Sequence, residues 1–430
     1  MIDIKFLREN LEIVKENLKK KFQESKSSSI DKVLELDIEY RNLIAEANEL
    51  KHQRNKITEQ IKIDKANKKD IVDLIKKARE LPSLIKEKDE VLKKLKIEIS
   101  SILYTIPVIV SLETIVGEDE SYNEEIKKYG PKPKVFDFDI KNHAELADSL
   151  NIADFDSSRD VSGKGFYYLK GDLALLNTAL FNYARDKLYK KGYTYVLPPL
   201  MINKKSCEGV IDFDFFKDMV YKIQDEDLYL IGTSEHPLIA MFMDKIINLE
   251  KLPIKLYSFS TCFRKEIGSH GLDERGLFRL HQFDKVEQII ICDPKDSIKY
   301  FDELLNNTIE IFEGLEIPTR TLEICTGDLG DSKYRQIDVE VWSPRQKKYI
   351  EAGSCSNLWN SQAMGLNIKV KDKDCKYYAH TLNDTAIANS RALVAILENN
   401  QTKDGTIKIP KVLVPYMYGK EEIKLNSSFF

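Results

Sequence analysis

The sequence predicts an α+β protein in two parts: an N-terminal antiparallel two-helix coiled coil, then an antiparallel sheet flanked by helices. Two heptad series before residue 110 predict the first part. The second follows from a succession of apolar strand-like segments, too few of which alternate strictly with helices for a doubly wound parallel fold. A length of 430 residues exceeds what one compact core holds and fits this division, drawn at 1–110 and 111–430.

Hydrophobic residues make up 42% of the chain and charged residues 32%, the balance of a soluble globular protein. No run of about 18 apolar residues exists. The start, MIDIKFLRENLEIVKENLKK, lacks the basic, apolar, small-residue order of a signal peptide, so a cytoplasmic location with no membrane partner is expected. Cys207, Cys262, Cys292, Cys325, Cys355 and Cys375 lie mostly in apolar strand-like contexts without a CxxC pair, which predicts buried free thiols and no structural zinc. A net charge of −4 argues against a whole-surface grip on nucleic acid and leaves local basic patches open. Neither a P-loop nor a GxGxxG motif is present, so those nucleotide sites are unsupported.

In the first part, Val33, Leu36, Tyr40, Leu43, Ala47, Leu50, Ile57 and Ile61 step by three and four, with Arg54 the one break. Leu74, Ala78, Leu81, Ile85, Lys88, Leu92, Leu95, Ile99 and Ile102 repeat the step. The polar segment 62–70 between them is short, so the helices should fold back on each other over about residues 30–103. About thirty residues per helix give a reach of about 45 Å. Pro82 removes a hydrogen bond inside the second helix and predicts a kink. Residues 51–70 hold seven Lys or Arg (Lys51, Arg54, Lys56, Lys62, Lys65, Lys68, Lys69) against three acids. Such charges read by default as a solvated face; the functional alternative is contact with a phosphate backbone.

Residues 115–165 read as a polar connection, with GEDESYNEE and KYGPKPK as linker-like pieces. A helix over 172–190 precedes Gly192 and a strand, YTYVLPPLMI, interrupted by Pro198 and Pro199. That combination suits a dimer interface and equally an ordinary helix–strand pair. Strands follow at LYLIGTSEH, IKLYSFSTCFRKE, RTLEICTGDLG, QIDVEVWSP and KYIEAGSCSN, with a helix through Lys245 and a closing helix from about Thr385 to Asn399.

The chemistry concentrates in residues 261–287, TCFRKEIGSHGLDERGLFRLHQFDKVE. Polar residues through Arg264 and Glu266 tip one strand, while Phe283, Lys285 and Glu287 alternate on the other, with Gly268, Gly271 and Gly276 punctuating the loop between. An arginine that forks onto phosphate (Arg264), a second on the loop (Arg275) and an aromatic face (Phe283) together suit a nucleoside triphosphate. A charged surface hairpin is the alternative.

This hairpin resembles motif 2 of the class II aminoacyl-tRNA synthetases, and among them that of the seryl-tRNA synthetase family. KGYTYVLPP is similar to motif 1, and TLNDTAIANSRALVAILENNQ to motif 3 with Arg391 at its arginine. LIGTSEHPL, which looks closer to the archaeal-type branch, and EAGSCSN match two further signatures, and the helical hairpin corresponds to the family's tRNA-binding arm. The likeness covers essentially the whole chain. It implies an AMP-forming ligase that uses ATP and Mg2+ to activate serine and passes the seryl group to the 3′ end of tRNA(Ser). It also implies a homodimer in which one subunit's arm guides the long variable arm of the tRNA to the other's site.

By the family pattern, Arg264 holds the α-phosphate and the serine carboxylate, and Arg391 the γ-phosphate of a bent ATP. Glu266 receives the adenine amino group, Phe283 stacks on the ring and Leu280 lines its edge. Lys265, Arg275, Ala352 and Gly353 complete the ATP set, while Glu351 and Ser354 hold Mg2+ and phosphate; Arg264, Arg391 and Glu351 are the implied catalytic residues. Thr233, Ser234, Glu235, Glu287 and Thr385 are implied for serine. The structural alternatives are a strand carboxylate paired with Lys285 or Arg279 for Glu287, and turn or helix N-cap roles for Thr233 and Thr385. The loop from about His270 to Arg275 is expected to move as ligands arrive.

The chain departs from the family after EAGSCSN, where an Asp-Phe-Gln-Ala-Arg-Arg pattern gives way to LWNSQAMGLNIKV, with Asn360, Ser361, Met364 and Gly365 at characteristic positions. This bears on local packing or a dimer contact rather than on the named groups. Two rivals accompany the main reading: a paralogue charging a carrier other than tRNA, and a catalytically silent paralogue that binds RNA or protein.

Overall fold

The computed structural model describes residues 2–211, 217–266 and 275–427. The chain forms two compact units, Met1–Ile109 and Val110–Phe430.

The first unit contains α1 (Ile4–Glu9), α2 (Leu11–Lys20), α3 (Ser27–Ala66) and α4 (Val72–Thr105). Asp3 caps α1 by accepting from the amides of Lys5 and Phe6. At the base, Leu7, Val14 and Leu18 of the short helices bury against Ile30 and Val33 of α3 and Ile99 and Leu103 of α4. Lys32 to Glu98 at 2.8 Å flanks this base; farther out the seam thins to Ala47, Leu81, Ile85 and Leu95, with Lys51 to Asp89 at 2.9 Å at its edge.

With 40 residues, α3 extends about 60 Å, longer than the 45 Å expected. The first part of the polar segment 62–70 continues the helix, because polarity alone does not break a helix that contains no Gly or Pro. The helix stops where Lys68 turns to φ 54° and the Lys69 amide returns to the Asp64 carbonyl at 2.9 Å. Pro82, where a kink is expected, does not end α4; its ring lies on the exposed face, where solvent can hydrate the carbonyl it leaves unpaired.

The second unit is built on eight strands: β1 (Glu124–Tyr129), β2 (Thr194–Tyr195), β3 (Ile254–Phe263), β4 (Gln282–Cys292), β5 (Thr319–Glu323), β6 (Arg335–Ser343), β7 (Lys348–Asn357) and β8 (His380–Ala388). Their order is β1-β5-β6-β7-β8-β4-β3-β2, antiparallel except for β2 beside β3. Its helices include α5 (His143–Ser149), α6 (Gly171–Lys190), α7 (Glu235–Ala240), α8 (Ser297–Gly314), α9 (Ser361–Gly365) and α10 (Asn389–Asn400).

The architecture is therefore α+β, as predicted, with local corrections, one being that the helix expected through Lys245 ends at Ala240. Residues 115–165 are not only a connection, since they supply α5 and the edge strand β1, whose Tyr129 faces Thr319 of β5. EEIKKY is solvent-exposed over nearly its whole length and shows no apolar alternation to reveal it. The predicted strand at 228–236 is reduced to Tyr229–Leu230 and followed by α7. YTYVLPPLMI contracts to β2 and Met201–Ile202, because Pro198 and Pro199 offer no amide to a ladder. Finally, Thr385 lies within β8, and α10 begins only at Asn389, so Thr385 is not a helix cap.

Strand alternation divides the sheet's work. On β4, Val286 and Ile290 enter the main core with Leu176 and Leu180 of α6, Phe301, Leu304 and Phe312 of α8, and Leu393 and Leu397 of α10. Ile289 and Ile291 turn to a second core with Leu238 and Ile239 of α7. A buried polar row stitches α8 to the middle of the sheet: Asn307 donates to Gln288 at 2.8 Å, Gln288 to the Thr308 hydroxyl at 3.1 Å, and Thr308 to Asp384 at 2.7 Å. Burial holds the Asp384 carboxyl well above the usual carboxylate range. Five cysteines are buried and free, whereas Cys375 is exposed, and no described helix is long and apolar enough to cross a membrane.

Phe312 has no solvent exposure. Phe312→Ala should lower stability by about 3–5 kcal/mol, read as the shift of the urea-unfolding midpoint of the full chain; a loss below about 1 kcal/mol would contradict its place in the core.

Candidate active site

The sheet brings the polar residues of β4 onto one face with residues from β3, β8 and α7. Arg264 follows β3, and its guanidinium lies 5.3 Å from the Phe283 ring centroid while Nε donates to the Gly232 carbonyl at 3.2 Å. Phe283, Leu280 and Cys262 form a small buried apolar patch. The two legs of the hairpin are clamped by the Arg264 amide on the His281 carbonyl, and the His281 ring Nδ1 lies 2.9 Å from the Arg264 carbonyl. Glu266 leaves the strand with φ 47°, an unusual value for a residue with a side chain. On the return leg, Gly276 adopts φ +128° where a Cβ would meet the His143 ring at 2.2 Å, and His143 Nε2 accepts from the Leu277 amide at 3.0 Å. The predicted moving loop, His270 to Arg275, and with it Gly268 and Gly271, lies outside the described residues except for Arg275.

Beyond Phe283 on the same strand face lies a buried polar cluster. Glu287 has no solvent exposure; it pairs with Lys285 and accepts from Asn383 at 3.0 Å and from Thr385 at 3.3 Å. Lys285 also donates to the hydroxyls of Thr233 at 2.8 Å and Thr385 at 3.4 Å. Thr233 accepts in addition from the Glu235 amide at 3.2 Å, with Ser234 fully buried between them at the start of α7. The Glu235 carboxylate is held by Gln362 at 2.6 Å and Asn383 at 2.9 Å. Side chains from β4, β8, α9 and the start of α7 thus converge in one buried hydrogen-bonded cluster.

A third group comes from β6, β7 and α10. Register sets Asp338 opposite Ser354 and Glu340 opposite Glu351, with a bulge between these pairs that makes Ala352 the extra residue. A Cβ on Gly353 would come within 2.8 Å of the Thr385 carbonyl, so glycine permits this approach of β7 to β8. Burial first, then the charge of Glu351, pushes the Asp338 carboxyl up to about 7. Burial pushes the Arg391 guanidinium down from its ordinary value, opposed by the carboxylates of Glu351 and Glu266 and reinforced by the charges of Arg279 and Arg264. Arg391 caps the Phe278 carbonyl and stacks on that ring at 3.8 Å.

Most of the predicted residues therefore meet on one face, in three adjoining groups. The Ala352 side chain instead packs into the main core, and two further residues do not engage there. Arg275 forks onto Asp148 and Asp156 and stacks over Phe155 at 5.4 Å, and the Lys265 ammonium lies over the Tyr221 ring at 6.0 Å. The pairing of Glu287 with Lys285, offered as the structural alternative, is present. Asn383, Gln362 and Asp338 were missed by the sequence reading. Asn383 stands two residues before Thr385 on β8, and the same alternation could have found it; Gln362 lies in the divergent segment, where nothing flagged it. That segment packs closely, since a Cβ on Gly365 would meet the Gly209 carbonyl at 2.3 Å.

An antiparallel sheet with an arginine–aromatic clamp on its central hairpin, a second arginine on the closing helix and acids on the neighbouring strands defines the catalytic core of a class II aminoacyl-tRNA synthetase. The family model for the tRNA synthetase class II core domain (G, H, P, S and T) matches residues 219–400, and that for the seryl-tRNA synthetase N-terminal domain matches residues 1–110. The chain belongs to the seryl-tRNA synthetase family. The serine–tRNA ligase of Methanospirillum hungatei is 48% identical over 98% of this chain and 100% of its own length. The crystal structure of seryl-tRNA synthetase from Pyrococcus horikoshii complexed with ATP has 41% identity and a TM-score of 0.90, over 99% of this chain and 100% of that one. The cytoplasmic enzyme of Naegleria fowleri in complex with AMP has 34% identity and a TM-score of 0.86, over 99% of both chains.

Burial, reinforced by the charges of Lys285 and Arg264, pushes the imidazole of His236 down to about 3. An unfolded histidine takes a proton near pH 6.5, so the native state gains nothing above that value and loses stability as pH falls from it towards 3. Between pH 7.5 and 5 the loss attributable to His236 is about 2 kcal/mol. Urea midpoints at the two pH values should show His236→Gln losing less than wild type by about that amount; equal losses would contradict a neutral buried imidazole.

Proposed function

We propose that the chain is a serine–tRNA ligase that activates serine with ATP to seryl-adenylate and transfers the seryl group to the 3′ end of tRNA(Ser). The observation that carries this reading is the single strand face that sets the Arg264–Phe283 clamp beside the Thr233, Glu287 and Thr385 cluster, in a chain alike over its whole length to serine–tRNA ligases. Phe283 and Leu280 offer an apolar bed for adenine, and Glu266 an acceptor for its amino group. Glu287 offers a carboxylate to the ammonium or hydroxyl of serine, with Thr233, Ser234, Glu235 and Thr385 closing the pocket. A pocket demanding hydrogen bonds from a hydroxyl rejects residues that lack one.

In activation, a serine carboxylate oxygen attacks the α-phosphorus as the bond to the bridging oxygen breaks and pyrophosphate departs with the electron pair. Arg264, over the Phe283 ring and bonded to the Gly232 carbonyl next to Thr233, suits the α-phosphate and the carboxylate together. Arg391, half-buried with Glu351 and Glu266 on one side and Arg264 and Arg279 on the other, suits the terminal phosphate of a bent ATP. Glu351, Ser354 and Asp338 fit Mg2+, because two neighbouring carboxylates, one of them raised by burial and by the other's charge, are a hard-oxygen set that favours a cation. When bound, Mg2+ would neutralise phosphate charge there. Ala352 and Gly353 supply the backbone bend that presents Glu351. Arg275 would serve ATP only after leaving Asp148 and Asp156.

The helical hairpin is the proposed tRNA-binding arm, its distal basic residues meeting the backbone of the variable arm with little base readout. The homodimer and the cytoplasmic location belong to the same proposal. Retention of the arm speaks against a carrier other than tRNA, and retention of Arg264, Glu266, Glu287, Glu351 and Arg391 against a silent paralogue.

Serine-dependent exchange of pyrophosphate into ATP tests the reading directly, and its absence would end it. Arg264→Ala should lower exchange by about 10³-fold, whereas a near-normal rate would remove Arg264 from the site. Deleting residues 31–103 should leave exchange intact and abolish charging of serine tRNA; undiminished charging would refute the arm's guiding role.

A further inference from the structure

Between the two substrate ends of the β4 face stands a side chain the proposed roles leave unused. Lys285 is two residues from Phe283 and two from Glu287 on one strand, so it lies about 7 Å along the strand from each. If Phe283 bears adenine and Glu287 the serine ammonium, Lys285 is at the level of the bond that forms.

Its environment argues against a merely structural ion pair. The side chain is only 6% exposed, and its partners are Glu287, the Thr233 hydroxyl at 2.8 Å and the Thr385 hydroxyl at 3.4 Å. These come from three separate elements, and all three are groups proposed for serine. Glu287 does not require Lys285 for hydrogen bonding, since Asn383 and Thr385 donate to its two oxygens. A buried ion pair is also a poor source of stability, because desolvation of both charges offsets their attraction. A lysine ammonium on a four-carbon stem is a point charge that can change partners without moving the strand.

We propose that Lys285 is a catalytic residue of serine activation. In the empty pocket its ammonium occupies the place that the substrate's ammonium takes. When serine arrives, Glu287 passes to the substrate, and Lys285 turns to the serine carboxylate and the α-phosphate oxygens beside it. As the carboxylate oxygen bonds to phosphorus and pyrophosphate leaves with the electron pair of the broken bond, Lys285 donates hydrogen bonds to the oxygens where negative charge collects. It keeps its proton throughout.

The inference rests on the serine-activation reading, and one experiment separates the two. Pyrophosphate exchange is measured against serine concentration for wild type and Lys285→Met, with thermal melting of both. Loss of this ammonium should lower kcat by at least about 100-fold while the serine KM stays within about threefold, since the internal competitor for Glu287 is gone along with the catalytic contact. A smaller fall in kcat, or a loss carried by KM, overturns the proposal and leaves Lys285 as a pocket-shaping group. Should Lys285→Met not fold, Lys285→Arg replaces it: charge pairing with Glu287 survives but the point geometry does not, so a fall in kcat of at least about tenfold at unchanged KM is expected, and an unchanged kcat overturns the role. Absence of exchange in wild type would overturn the activation reading itself.

Discussion

A carboxylate with no access to water must be given donors by the protein, and Glu287 imposes that demand at the centre of the sheet. Its donors come from β4 itself and from β8, and Asn383 extends the same hydrogen-bonded set to Glu235 at the start of α7, which Gln362 of α9 holds from its other oxygen. The arrangement works only in one register. Thr385 faces Glu287, and the irregularity between Thr385 and Ile387 then realigns β8 so that Ile387 meets Val286. A slip by one residue would send Glu287 into the apolar core and Val286 into the pocket.

The reverse face of the same strands explains why that register holds. Gln288 and Asp384, the neighbours of Glu287 and Thr385, point to α8 and join the row through Asn307 and Thr308. At its outer end Asn307 reaches the Tyr193 hydroxyl at 3.1 Å, and Tyr193 donates to Glu303 at 2.8 Å, which Lys255 also holds. Polar groups so deeply buried tolerate few alternative pairings, so they specify alignment more than they add stability. The pocket above and the polar row below are two readings of one alternation.

That alternation also decides what was legible in the sequence. The α+β class, both long helices and five strands were readable because their apolar residues recur at the period of the element. Phe283, Glu287 and Arg264 were readable because their types are chemically distinctive at that spacing. Residues 124–129 were not, because an edge strand exposed on both sides carries no pattern. Thr385 was assigned to a helix because the strongly helical run after Asn389 masked the two-residue period before it. Lys285 is legible only as a partner for Glu287, since a sequence shows neighbours along the strand but not the threonines brought to it from the turn before α7 and from β8. Arg275 failed for a similar reason: Asp148 and Asp156 are more than a hundred residues away in sequence.

The clamp between Arg264 and His281 has a consequence for how this hairpin can change. With both legs fastened to each other by backbone and imidazole contacts, and the return leg held again at Leu277 by His143, the positions of Arg264 and Phe283 are set by contacts made within the legs themselves. The spacing of the arginine–aromatic clamp is thus a local property of the two strands' ends, and substitutions that leave those contacts intact leave the clamp in place.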